Sequence, residues 1–302
     1  MGEPSNGFND LLNQVSRLQV RDEVTELSGG LTNRNLKIKT ATGEYVARIS
    51  SNKSSLLSID RKAEYENSKI AASVGIGAPV YDFLPEFGLL VIGFLPGKTF
   101  NATDVASNLP RIATSVKQLH NAPKFVSDFD MFVIQQNYLK IVTERGFRLP
   151  ENYLSYADNL EKMKRAFAVL DEGKVACNND LLAANFIDDG QQIWLIDYEY
   201  SGNNDACFEL GNIYSESGLS YDQLIELVDA YYGRHQPEKI ARAWLFALLA
   251  RYGWTLWASI QNSVSDIDFN FWDWGMEKYE VAKSDFASKQ FKDALIAVAS
   301  KS

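Results

Sequence analysis

The first hundred residues switch between two hydrophobic periods. Phe8, Leu11, Leu12, Val15 and Leu18 recur at helical spacing and predict a helix over 8–20, whereas 23–27, 35–40 and 44–50 carry strand-like alternation. A charged amphipathic helix is predicted over 60–74, because Gly75, Gly77 and Pro79 end the pattern there. Two further short strands, 80–84 and 89–94, precede Leu95-Pro96-Gly97. Beyond residue 97 the period is mostly helical, over 104–120, 128–143, 153–171, 205–217, 221–233, 238–262 and 271–298. Only short strands interrupt it, at 174–177, 185–188 and 192–197. The expectation is an α+β protein of two lobes: a small antiparallel sheet lobe over 1–95 and a larger, mostly α lobe over 96–302.

Composition narrows the class. A chain of 302 residues with 46% hydrophobic and 23% charged residues buries a full core, so disorder is excluded. Thirty Lys+Arg against 39 Asp+Glu leave a net charge of −9, which repels phosphate polyanions and argues against nucleic-acid binding. The acidic balance suits a small cationic partner instead. Cys177 and Cys207 are too few for a disulfide framework, and the N-terminus shows no basic-then-apolar export pattern, so a cytoplasmic location is expected. The longest apolar run, 243–250, stops at Arg251 and is far shorter than the roughly 20 residues that span a bilayer, so no membrane insertion is expected.

Candidate chemistry concentrates in Cys177-Asn178-Asn179-Asp180-Leu181-Leu182-Ala183-Ala184-Asn185 and in Ile196-Asp197-Tyr198-Glu199-Tyr200. Taken singly, Asp180 and Asn185 are ordinary turn formers and Asp197 an ordinary helix cap. Together, Asp-x4-Asn followed twelve residues later by a strand-terminal Asp supplies the parts of phosphoryl transfer. Asp180 is a carboxylate to receive a hydroxyl proton, and Asn185 and Asp197 are hard oxygen donors for Mg2+. Gly29 and Gly30 open a turn whose backbone N–H groups can face phosphate oxygens, with Thr32 and Asn33 as added donors. Without a ligand that turn reads equally as a hairpin.

These motifs resemble the choline/ethanolamine kinase family, which is related to the aminoglycoside phosphotransferases and distantly to protein kinases. The resemblance rests on Ser28-Gly29-Gly30-Leu31-Thr32-Asn33, on Phe94-Leu95-Pro96-Gly97, on the two segments above and on Phe208-Glu209-Leu210-Gly211-Asn212, and it covers nearly the whole chain. It implies a two-lobed protein-kinase-like fold, ATP as phosphoryl donor, Mg2+, and a nucleotide site over Gly29, Gly30, Thr32, Asn33, Arg48, Glu64, Gly93 and Leu95. Within that site the resemblance pairs Arg48 with Glu64, with Glu66 as the alternative. One departure stands out: Asn178 holds the place where the family has histidine before the catalytic Asp180. It raises the alternative of a catalytically impaired kinase-like binding module.

The acceptor end is aromatic. Trp254 and Trp257 stand at i and i+3 on one predicted helix, and Trp274 opens the next. They read either as core packing or as ring faces for an ammonium group. The resemblance assigns the substrate site to Tyr200, Glu216, Trp254, Trp257 and Trp274, Glu216 being the acidic partner of the cation. Choline is the expected acceptor, with ethanolamine, thiamine or an aminoglycoside as alternatives.

Overall fold

The computed structural model describes residues 6–27, 30–50 and 54–300. The first helix, α1 (Asn6–Leu12), is followed by a separate 3-10 turn at Ser16–Leu18, where a single helix was expected. Strands β1 (Glu23–Leu27), β2 (Asn33–Thr40) and β3 (Gly43–Ser50) precede helix α2 (Arg61–Ser73), then β4 (Val80–Leu84) and β5 (Leu89–Gly93). These strands form one antiparallel sheet in the order β1-β2-β3-β5-β4. Leu36, Ile38, Tyr45, Ala47, Leu89 and Val91 pack with Leu12, Val15 and Leu18 in a small core.

The remainder is helical: β6 (Lys98–Thr99), α3 (Ala102–Ala106), α4 (Leu109–His120), α5 (Met131–Glu144), α6 (Ala157–Phe167), β7 (Val175–Cys177), β8 (Phe186–Asp188), β9 (Ile193–Leu195), β10 (Gly202–Asn204), α7 (Ala206–Glu216), α8 (Tyr221–Tyr232), α9 (Pro237–Val264), α10 (Phe271–Ala287) and α11 (Lys289–Ala299). The fold is thus the expected α+β arrangement, with two corrections. The helix predicted over 104–120 is two, because Asn108 and Pro110 restart the chain as α4. The helix predicted over 271–298 breaks at Ser288, which ends α10 and caps α11 by accepting from the Phe291 N–H at 3.1 Å. Strands β6 and β10 were not foreseen; they pair with β8 and β7.

Helix α9 is buried almost all round from Lys239 to Gln261, as an apolar helix lacking a polar face must be. Helix α10 crosses it closely at Gly275, where an added Cβ would stand 2.5 Å from the Ala258 Cβ. No helix among the described residues is long and apolar enough to cross a membrane.

Candidate functional site

Two loops carry the polar groups. One, 178–185, leaves β7 for β8; the other, 196–201, leaves β9 for β10. Because β7 and β10 pair, with Cys177 opposite Gly202, the loops lie side by side. Asn178 joins them: its Nδ2 donates to the carbonyls of Ile196 (3.1 Å) and Asp197 (2.9 Å), while its Oδ1 accepts from the Asp180 N–H (3.1 Å). Asn179 and Asp197 adopt the left-handed conformation (φ 68° and 64°), which Asn and Asp tolerate better than other side chains. Below them, buried Glu209 on α7 accepts the backbone N–H groups of Asn178 (2.8 Å) and Asn179 (2.7 Å) through its two oxygens. Asn178 is fully buried and does not line the cavity; its place is behind the loop.

Asp180, Asn185 and Asp197 line one cavity with Gly30, Thr32 and Asn33 on one side and Tyr200, Glu216, Trp254, Trp257 and Trp274 on the other. Gly29 lies outside the described residues. Gly30 sits where an added Cβ would be 2.4 Å from the Asn33 carbonyl oxygen, so this turn needs glycine. Gly93 and Leu95 stand at the end of β5 and in the segment joining the lobes, outside that cavity.

Arg48 on β3 is buried among three carboxylates: Glu64 (3.1 Å), Asp197 (2.5 Å) and Glu199 (2.9 Å). Glu66 pairs at the surface with Lys69 instead. Burial disfavours the Arg48 charge, but the three acids outweigh it and hold the guanidinium protonated. Asp197 is pushed up to about 6 by burial, against the pull of Arg48. Asp180 is raised well above the usual carboxylate range, first by burial and then by Glu216, Asp197 and Glu199, with Lys278 opposing. Glu199 stays below its ordinary value, because Arg48 and Arg61 overcome the cost of its burial.

Sequence reasoning missed Glu199, Arg61, Lys278 and Glu209. Arg61 bridges Glu64 (2.7 Å), Glu199 (3.2 Å) and the Asn33 Oδ1 (2.9 Å), and Asn33 donates to Glu199 (2.8 Å). The Asn33 side chain, expected as a phosphate donor, is therefore committed to this network. Glu216 differs in the same way: both its oxygens lie 2.7 Å from the Lys278 Nζ, so the expected partner for a substrate cation already holds one. Glu199 and Glu209 lie inside motifs quoted from the sequence but were given no role there, whereas Arg61 and Lys278 lie in none.

The aromatic side of the cavity is held by its own contacts. The Trp257 indole N–H donates to the Tyr200 hydroxyl at 2.8 Å. Tyr200 and Trp254 stand edge to face with centroids 5.0 Å apart, and Trp257 and Trp274 do so at 5.5 Å.

The Choline/ethanolamine kinase profile matches residues 24–240, more than half of the chain. The chain belongs to the choline/ethanolamine kinase family. Protein LicA of Haemophilus influenzae is 25% identical over 269 residues, covering 84% of this chain and 77% of LicA. The Drosophila melanogaster ethanolamine kinase is also 25% identical, over 281 residues and 78% of this chain, but the match spans only 52% of that protein. Among solved structures, a choline/ethanolamine kinase family protein from Mesorhizobium loti superposes with a TM-score of 0.86 at 25% identity, over 98% of this chain and 99% of its own. Choline kinase LicA from Streptococcus pneumoniae gives 0.81 at 25% identity, over 94% and 99%. The aminoglycoside phosphotransferase APH(4)-Ia, 13% identical with a TM-score of 0.66 over 94% of this chain and 100% of its own, shares the fold.

Proposed function

We propose that the protein transfers the γ-phosphoryl group of ATP to the hydroxyl of choline. The observation that carries this reading is the wall of Tyr200, Trp254, Trp257 and Trp274 in the same cavity as Asp180. Ring faces attract a diffuse trimethylammonium charge by up to about 2 kcal/mol per desolvated contact and require no hydrogen-bond donor from it. A cation held there leaves its hydroxyl to reach Asp180, the carboxylate placed to take its proton. LicA of S. pneumoniae is described as a choline kinase, and a LicA structure in complex with AMP has an adenine nucleotide bound, which supports the reading.

Asn185 and Asp197 fit Mg2+. The Asn185 Nδ2 is tied to the Asp180 carbonyl at 2.8 Å, which leaves its oxygen as the end available to a cation, and Asp197 adds a carboxylate. When bound, Mg2+ neutralises charge on the β- and γ-phosphate oxygens. Arg48 adds a fixed positive charge beside Asp197, Gly30 and Thr32 approach the phosphates, and Asp180 orients the attacking hydroxyl and takes its proton.

The ethanolamine kinases among the relatives favour a second acceptor. Assaying ATP-dependent phosphorylation of choline, ethanolamine, thiamine and an aminoglycoside with purified protein decides the matter. The highest kcat/KM is expected for choline. Turnover confined to another acceptor refutes the choline assignment, and absence of turnover with all four supports the binding-module alternative.

A further inference from the structure

Lys278 is absent from every motif in the sequence, yet its ammonium is paired with Glu216, an acidic residue that lines the acceptor cavity. Trp274 and Lys278 are one turn apart on α10, and Glu216 ends α7 opposite them. The Lys278 Nζ lies 2.7 Å from each Glu216 oxygen and 4.2 Å from the centroid of the Trp274 ring. Both side chains are withdrawn from solvent, at 12% and 3% exposure. Glu216 and Trp274 line the cavity, whereas Lys278 stands behind them.

This arrangement changes what the corner offers a cation. A lone buried carboxylate would reward an ammonium that donates hydrogen bonds, because each donated bond replaces one lost from water. Here the carboxylate is neutralised by a tethered ammonium and both oxygens already accept from it. A primary ammonium entering the cavity gives up strong hydration and finds its best acceptor engaged, so its transfer is costly. A trimethylammonium group is weakly hydrated, needs no acceptor, and still finds the faces of Trp254 and Trp257.

We propose that Lys278 is a specificity-determining residue: paired with Glu216 and backed by Trp274, it tunes the cavity toward N-methylated ammonium alcohols and against primary ones. This rests on the acceptor reading above.

The test is kcat/KM for ethanolamine, N-methylethanolamine, N,N-dimethylethanolamine and choline, measured with wild type, Lys278→Met and Lys278→Arg. In wild type the value should rise with each methyl group. In Lys278→Met the choline-to-ethanolamine ratio should fall about tenfold, mainly through a lower ethanolamine KM with ATP KM unchanged, while Lys278→Arg keeps the ratio. The ratio cancels any effect of the lost charge on Asp180, which is common to all four acceptors. An unchanged ratio in a Lys278→Met protein of wild-type Tm makes the pair merely structural and overturns the proposal. If that variant does not fold, Lys278→Gln takes its place with the same expected fall in the ratio and the same overturning result, and a wild-type preference for ethanolamine overturns the proposal outright. Should calorimetry and turnover show none of the four amines acting on wild type, the acceptor reading itself fails and this inference with it.

Discussion

In the proposed reaction Asp180 is the proton acceptor, and removing its carboxylate leaves the aromatic wall intact. Asp180→Ala should therefore lower kcat by about 10²-fold or more with little change in acceptor KM, measured by steady-state kinetics. Wild-type turnover in that variant excludes Asp180 as the base. Asn178 acts through other groups: it is the bolt between the two loops, donating to the Ile196 and Asp197 carbonyls. Asn178→Ala strands both carbonyls and should cost about 1–3 kcal/mol of stability, with a fall in kcat because Asp197 loses its support. Asn178→His restores a ring N–H and should retain more activity than Asn178→Ala. Equal kinetics in the two variants would show that the bolt does not matter to turnover. The sequence made Asp180, Asn185 and Asp197 readable because their roles are spaced along one short stretch. Arg61, Glu209 and Lys278 were opaque because their partners are remote: Lys278 meets Glu216 62 residues away, and Arg61 meets Glu199 138 residues away.

Among the elements, α9 and α10 decide the shape of the acceptor end. Gly275 lets them touch, and the same contact holds Trp274 at 5.5 Å from Trp257. Gly275→Ala puts a methyl group against Ala258 and forces the helices apart. The change should destabilise by about 1–3 kcal/mol and raise acceptor KM more than ATP KM, as a melting curve and two KM values would show. Equal effects on both KM values would mean that the crossing does not set the wall. Helix α9 was legible nearly to the residue, since 238–262 is strongly apolar and Pro237 stands at its first position. The breaks at Asn108 and Ser288 were not, because serine and asparagine sit inside helices or end them according to what their side chains find. Strands β7, β8 and β9 are only three residues long but apolar enough to be read, whereas β6 (Lys98–Thr99) and β10 (Gly202–Asn204) hold no apolar residue and only their pairing defines them.

Across the whole molecule, the sheet lobe and the helical lobe meet through buried charge: Arg48 and Arg61, braced by Glu64 of their own lobe, against Asp197 and Glu199. Asp197 titrates near 6 in the folded protein and near 3.9 when unfolded, so between those values the native state binds the extra proton. Stability from this group is thus lost as pH rises from about 4 through 6, on the order of 2 kcal/mol. Asp197→Asn, which cannot ionise, should gain on wild type over that interval in ligand-free thermal melts. A difference between the two proteins that does not change from about pH 4 to pH 8 rules out the assignment.

Helix α9 also reaches the opposite side of the cavity: Gln261, one turn beyond Trp257, donates its Nε2 to the Leu31 carbonyl at 2.9 Å, beside the turn at Gly30. An indole whose surroundings are coupled to that turn is an optical probe supplied by the chain itself. ATP added without any acceptor should alter the tryptophan emission, and Gln261→Ala should diminish that signal without altering the response to choline. An ATP response of full size in Gln261→Ala would show that light from the wall does not register the turn.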